Sequence, residues 1–316
     1  MFFWARYLFP EICYLYEKMK RDFILKQYKI LVKMFQQQGY FFVTFKNYML
    51  GAPDGLHSMR HPLVILRHDV DRKPENALVI AKIEKEVGIR ASYYFRIVKE
   101  SYDEDVIRQI VEMGHEIGYH YENLSLCRGN YELSIMNFEL DLEKFRKLYP
   151  VKTICMHGSP LSKWDNRDLW KRYDYRDYGI IAEPYFDLDF DEVFYLTDTG
   201  RRWDGDSVSV RDKVGGQRRK QGDASFLPGM NRMGFLAGTD GRKKKEFKDL
   251  RFRYTWEIIE AAERGVLPDK VMINTHPQRW TDNSLEWMKE LVWQNIKNLA
   301  KKFIVSRKGA KALRRT

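Results

Sequence analysis

The stretch PLVILRHDVDR, residues 62–72, decides how the chain is read. Leu63 to Leu66 form an apolar run too short for a helix and bounded by Pro62, which marks a buried strand. The run ends directly on Arg67, His68, Asp69 and Asp71. Outward from it, strands and helices alternate. Residues 75–87 have helical periodicity and stop at Gly88; ASYYF (91–95) is the next strand. A helix over 103–113 carries Asp103, Glu104 and Asp105 in its first turn, where the helix dipole favours acids. HEIGYH (115–120) follows as a strand, then a helix over 130–147 and the strand TICM (153–156). Apolar stretches recur near 180 (GIIAEPYF) and 193 (VFYLTD). A helix over 252–264, the strand VMINT (271–275) and a last helix over 284–303 complete the series. Such alternation predicts a mainly parallel sheet, as a barrel or a doubly wound fold. Upstream, an amphipathic helix is expected over 16–38, with Ile24, Leu25, Tyr28, Leu31, Val32 and Phe35 on one stripe. Phe41, Val43 and Phe45 then alternate like a strand.

The chemistry sits where strands end. VILR runs into His68, Asp69 and Asp71; HEIGY into His120; TICM into His157; VMINT into His276. Catalytic groups of α/β barrels lie at the carboxyl ends of parallel strands, so these clusters point to one mouth. A carboxylate and neutral imidazoles bind a divalent ion such as zinc and leave a position open. A second carboxylate can accept a proton from water, and a histidine can protonate a leaving group. A plainer alternative makes Asp69 and Asp71 turn and cap residues before the 75–87 helix.

LRHDVDR, ASYYF and GHEIGYHYENL, taken in this order, resemble the polysaccharide deacetylase (NodB-homology) superfamily, also called carbohydrate esterase family four. The resemblance spans roughly residues 63–280 and implies an irregular (β/α) barrel. It implies Asp69 as the base, Asp71 and His120 as metal ligands, and His276 as the general acid, with His115 structural. The family's second ligand histidine, four residues after the first, is replaced here by Leu124. Glu122 or His157 could fill that gap. The Arg-Pro turn of the family reads MHGSP (156–160), so His157 is expected to be the replacement ligand or the partner that orients the base. The implied activity is metal-dependent hydrolysis of an N-acyl or O-acyl group, with a divalent metal, zinc, as cofactor. The implied substrate is an acylated or nucleotide-linked sugar of bacterial surface-polysaccharide biosynthesis. Leu124 also admits a degenerate saccharide-binding protein of the same fold.

Substrate-side candidates are Arg201, Arg202 and Trp203 in YLTDTGRRWDG, Arg279 and Trp280 after His276, and Tyr121 beside His120. Arginine grips carboxylate or phosphate in a bidentate way, and tryptophan stacks on a sugar ring. The expected organisation is an extension over 1–55, a barrel over 56–305 with a basic Gly-rich insertion at about 213–249, and a basic tail over 306–316. Hydrophobic residues at 44% and charged residues at 31% exclude a disordered or fibrous chain. Cys13, Cys127 and Cys155 are widely spaced and form no CxxC pair, which suits a reducing compartment. The first residues lack a signal-peptide pattern, so a cytoplasmic protein is expected. The net charge of +11 suits peripheral contact with an anionic membrane. A nucleic-acid partner ranks below this, because it accounts for the charge but not for the strand-end clusters.

Overall fold

A computed structural model describes residues 21–51, 61–159, 162–204 and 250–313, with side chains to residue 299. The expected insertion at 213–249 and the first turns of the helix expected from residue 16 lie outside the described residues. In chain order the elements are α1 (Leu25–Gln37), β1 (Phe41–Val43), α2 (Phe45–Leu50), β2 (Leu63–Val70), α3 (Pro74–Val87), β3 (Ser92–Phe95), α4 (Glu104–Glu112) and β4 (Glu116–Tyr121). There follow α5 (Asn123–Leu126), α6 (Tyr131–Arg146), β5 (Ile154–Met156), α7 (Pro184–Asp187), β6 (Phe194–Thr197), α8 (Thr255–Glu263), β7 (Lys270–Thr275) and α9 (Ser284–Leu313). Short 3-10 turns at Asn166–Lys171, Tyr175–Tyr178 and Pro277–Arg279 fill the loops.

The strand run of residues 63–70 is the organising strand of a seven-stranded sheet with the order β5-β4-β3-β2-β7-β6. Its first half pairs with β1 and its second half with β3, on the edge away from β7. Every pairing is parallel. The sheet curls into a half-barrel, compatible with a (β/α) barrel-like fold. Among the described residues no pairing joins β5 to β6, so the barrel-like sheet is open between these strands. β1 falls in the expected extension, yet it is a strand of this sheet.

Period-2 alternation along β2 sorts its side chains. Val64, Leu66 and Val70 join the large core with Tyr28, Val32, Phe35, Ile80 and Ile107 of the helices. Ile65 joins a smaller cluster with Phe45, Tyr94, Cys155 and Met272 on the inner face. In a parallel pair, residues directly opposite share a face. Arg67 lies opposite Asn274, Asp69 opposite Tyr94 and His120 opposite Cys155, so all of these are inner-facing.

His68 is therefore directed away from the mouth, which corrects its place among the strand-end candidates. Its Nε2 meets Glu84 of α3 at 2.7 Å and its Nδ1 meets Thr275 Oγ1 at 2.6 Å. Tyr93 donates to the other Glu84 oxygen at 2.6 Å, and Tyr28 donates to the first. One buried carboxylate thus ties α1, α3, β2 and β3 together through both of its oxygens. His115 is structural, as the resemblance implies: it accepts from Ala91 N at 3.2 Å and contacts Ala81 O at 3.3 Å.

The helix termini are set by local chemistry. Pro74 begins α3 where a missing N–H costs nothing, and Gly88 ends it at φ +76. Asp103 caps α4 by accepting from Val106 N at 3.0 Å. Pro74 and Asp103 lie in the loops that leave the carboxyl ends of β2 and β3, and Gly88 lies in the loop that returns to β3.

Candidate metal centre

Because all strands run the same way, the ends of β2, β4, β5 and β7 meet on one rim. Asp71 lies just past β2, where its N–H bonds back to Asp69 O at 3.1 Å. This tight turn separates two acids that an extended chain would place on one face. Asp69 stays inside the half-barrel, and Asp71 reaches across to His120 and His157.

The distances at Asp71 form a ligand set. Its Oδ1 is 3.5 Å from His120 Nε2 and 3.6 Å from His157 Nε2. An ion of zinc's size, with bonds of ~2.0–2.1 Å in a tetrahedron, holds its ligands ~3.4 Å apart. Asp71, His120 and His157 could therefore hold a metal ion with little movement. A second observation agrees: Asp71 Oδ1 is buried and makes no hydrogen bond, while Gln278 Nε2 donates to Oδ2 at 3.0 Å.

The tautomers are fixed from behind. His120 Nδ1 lies 2.9 Å from Cys155 O, an acceptor only, so Nδ1 carries the proton and Nε2 keeps its lone pair. His157 Nδ1 lies 2.8 Å from Glu122 Oε2, which imposes the same state. Glu122 is in turn held by Arg96, whose Nε donates to Oε1 at 2.7 Å and whose Nη1 donates to Asp71 O at 3.1 Å. Burial works against the Glu122 charge, but His157 and Arg96 outweigh it and bring its pKa down to about 2. Burial likewise opposes the charge on Asp71, and His120 and His157 outweigh it, lowering its pKa well below the usual carboxylate range. A carboxylate–imidazole–metal relay of this kind orients the ring and raises its basicity.

Asp69 is arranged differently. Oδ2 accepts from Arg67 Nη2 at 3.0 Å and from Asn274 Nδ2 at 2.9 Å. Oδ1 is buried and makes no hydrogen bond. Burial alone would raise its pKa; Arg67, His120 and His276 reverse this and lower it. Asp69, His120 and Cys155 form a second group whose ligand atoms lie within 4.8 Å of one another. The better-exposed set at Asp71 has both imidazole tautomers prepared for it, so of the two groups it is the better candidate for holding an ion.

His276 ends β7 and is braced by Asp198. Its Nδ1 lies 2.6 Å from Asp198 Oδ1, and its backbone N–H donates to Oδ2 at 3.0 Å. Arg279 Nη1 donates to Asp198 Oδ1 at 2.5 Å, and Trp280 Nε1 donates to Oδ2 at 2.8 Å. Asp198 is thus fully engaged, and it fixes the His276 ring from the Nδ1 side.

The structure brings together Asp69, Asp71, His120, His157 and His276. It does not bring the expected sugar-gripping residues to the same rim. Tyr121 points to the helix-side core against Phe138 and Trp170, because its neighbour His120 takes the inner face. Trp203 is buried between Phe23 and Trp280 and donates to Thr255 Oγ1 at 2.9 Å. Trp280 is 1% exposed, so neither tryptophan offers a face to a ring. Arg201 donates to Trp287 O at 2.8 Å, and Arg202 is paired with Asp204. Of these six residues only Arg279 and Trp280 touch the site, both through Asp198. Leu124, at the family's ligand position, is fully buried in the core.

Arg67, Arg96, Asn274 and Gln278 are the site residues that the sequence reading missed. Arg67 carried a usable signal: two residues before Asp69 on a strand, it must share that residue's face. Comparison with protein-family models, curated proteins and solved structures returns no match. Among the described residues no helix is long and apolar enough to cross a membrane.

Proposed function

We propose that the protein is a metal-dependent deacylase of the NodB-homology type, hydrolysing an N-acyl amide or O-acyl ester on a sugar or nucleotide-linked sugar. The observation that carries this reading is the bare, buried Asp69 Oδ1 beside the Asp71–His120–His157 donor set. A zinc-like ion bound there supplies Lewis acidity, lowering the pKa of water towards ~7 and polarising an acyl oxygen. Asp69 Oδ1 accepts the proton of the attacking water. Arg67 and Asn274 fix Oδ2, so the acceptor lone pairs face the site rather than rotating away. His276 delivers a proton from Nε2 to the departing amine or alkoxide, and Asp198 holds its ring in place. Replacement of the family's histidine by Leu124 is compatible with this chemistry, because His157 supplies the third donor from the next strand.

Elemental analysis of the purified protein, with turnover measured on a panel of N-acetylated and O-acetylated sugars, tests the reading. One equivalent of divalent metal is expected, lost in Asp71→Ala and in His157→Ala. Asp69→Asn is expected to keep the metal and lose turnover. Absence of metal under metal-replete conditions, or full activity in Asp69→Asn, overturns it.

A further inference from the structure

The polarity of α9 is inverted over its described side chains. Glu290 and Gln294, 7% and 4% exposed, face the domain, where Glu290 pairs with Arg72 and Gln294 donates to Glu290 at 2.6 Å. Leu285, Met288, Val292, Ile296 and Leu299 are all between 51% and 64% exposed. At ~100° per residue these five fall within ~80° of arc, opposite Glu290 and Gln294. The stripe is ~21 Å long at 1.5 Å per residue. Trp293 flanks it and is 49% exposed. Single exposed apolar residues are ordinary, but a continuous stripe on an outward helix face marks a contact surface.

Charge selects the partner. No acidic residue follows Glu290, whereas eight lysines and arginines do. A second copy of this helix would bring two such basic segments together. An acidic lipid surface would neutralise them instead. α6 offers a contrast: Leu133, Met136 and Leu140 are also exposed, but Glu132, Glu139 and Glu143 are interspersed among them.

We propose that the outward face of α9 lies in the headgroup–acyl boundary of an anionic membrane, with Leu285, Met288, Val292, Ile296 and Leu299 inserted and the net positive charge of the sequence after Glu290 favouring acidic lipid. The helix lies flat rather than spanning, since its domain-side face is polar. Residues 1–20 are a rival occupant, because the described chain starts beside α9, with Arg21 Nη1 donating to Ser284 Oγ at 2.8 Å.

The test is co-sedimentation of the full chain with vesicles of mixed phosphatidylglycerol and phosphatidylcholine, against vesicles of phosphatidylcholine alone. Binding is expected to the anionic vesicles only, to weaken with added salt, and to fall at least ~tenfold in V292E/I296E. Sedimentation velocity and thermal unfolding of that variant without lipid accompany it. Failure to bind anionic vesicles, equal binding to neutral ones, or undiminished binding by the variant overturns the proposal. So does self-association that the variant abolishes, which would assign the face to a second copy. A lowered unfolding midpoint in the variant also overturns it, because it would mean that the stripe is already covered within the chain. None of these readouts depends on enzymatic activity.

Discussion

Glu122→Gln isolates the contribution of the relay behind His157. Glu122 Oε2 receives the His157 Nδ1 proton at 2.8 Å, and Oε1 receives Arg96 Nε at 2.7 Å. Glutamine has one acceptor oxygen and one donor amide for two partners that both donate. If the oxygen keeps Arg96, the amide faces His157 Nδ1 and drives the proton to Nε2, removing the lone pair that points at Asp71. If the oxygen keeps His157, the amide faces a guanidinium and the Arg96 brace on Asp71 O is lost. Asp71 and His120 stay intact in either case, so the loss is confined to one donor. Removing such a supporting carboxylate costs ~10–100-fold in metal affinity, or about 1.4–2.8 kcal/mol. Competition with a chromophoric zinc chelator at neutral pH measures it, with His157→Ala setting the lower limit. Affinity in Glu122→Gln equal to that of the unaltered protein, with native circular dichroism, would refute the relay and leave His157 outside the donor set.

Two further outcomes test the frame around the site. At Gly118 a Cβ would sit 2.3 Å from Tyr94 Cε1 and 3.0 Å from the immobile Thr153 carbonyl oxygen, and Tyr94 is tied to Thr153 Oγ1 at 2.9 Å. Gly118→Ala should therefore cost about 1–3 kcal/mol in urea unfolding, and an unchanged midpoint would contradict the packing of β3 on β4. Glu183 is wholly buried, and burial raises its pKa from 4.5 to about 7 despite hydrogen bonds from Met156 N and Tyr185 N. The folded state therefore holds the proton more tightly, and the associated stability is full below pH ~4.5 and lost as pH rises through ~7. Between pH 5 and pH 8 the unaltered protein should lose about 2–3 kcal/mol relative to Glu183→Gln, and a constant difference across that range would exclude a protonated Glu183.

The same carboxylate chemistry appears in three settings within one half-barrel. Glu84 on the helix side has both oxygens engaged, by two tyrosines and a histidine, and serves the core. Asp198 is equally saturated but orients His276. Asp69 and Asp71 each keep one buried oxygen without a hydrogen bond, and these two face the rim. Unspent hydrogen-bonding capacity, rather than acidity alone, separates the candidate site acids from the structural ones.

Much of this was already legible along the chain. The alternation of short apolar runs with helical stretches determines a parallel sheet, because parallel neighbours need a crossover helix. Parallel direction then places Asp69, Asp71, His120, His157 and His276 at one rim without further information. Period 2 also determines, in principle, that Arg67 shares the face of Asp69 and that His68 does not. What the sequence could not decide is anything that depends on partners distant along the chain. The open half-barrel depends on how far the sheet curls. The approach of His157 to Asp71 depends on the sheet bringing the end of β5 towards that of β2, across β3 and β4. Trp203, Trp280 and Arg201 look like groove residues in a linear reading, since an aromatic beside an arginine has the same composition in a binding cleft and in a core. Only the packing of Phe23, Thr255 and Trp287 against them assigns them to the interior. Local pattern fixes direction and face because backbone geometry is periodic; burial and hydrogen-bond saturation are properties of the assembled neighbours, and they decide which of the exposed-looking residues remain available for chemistry.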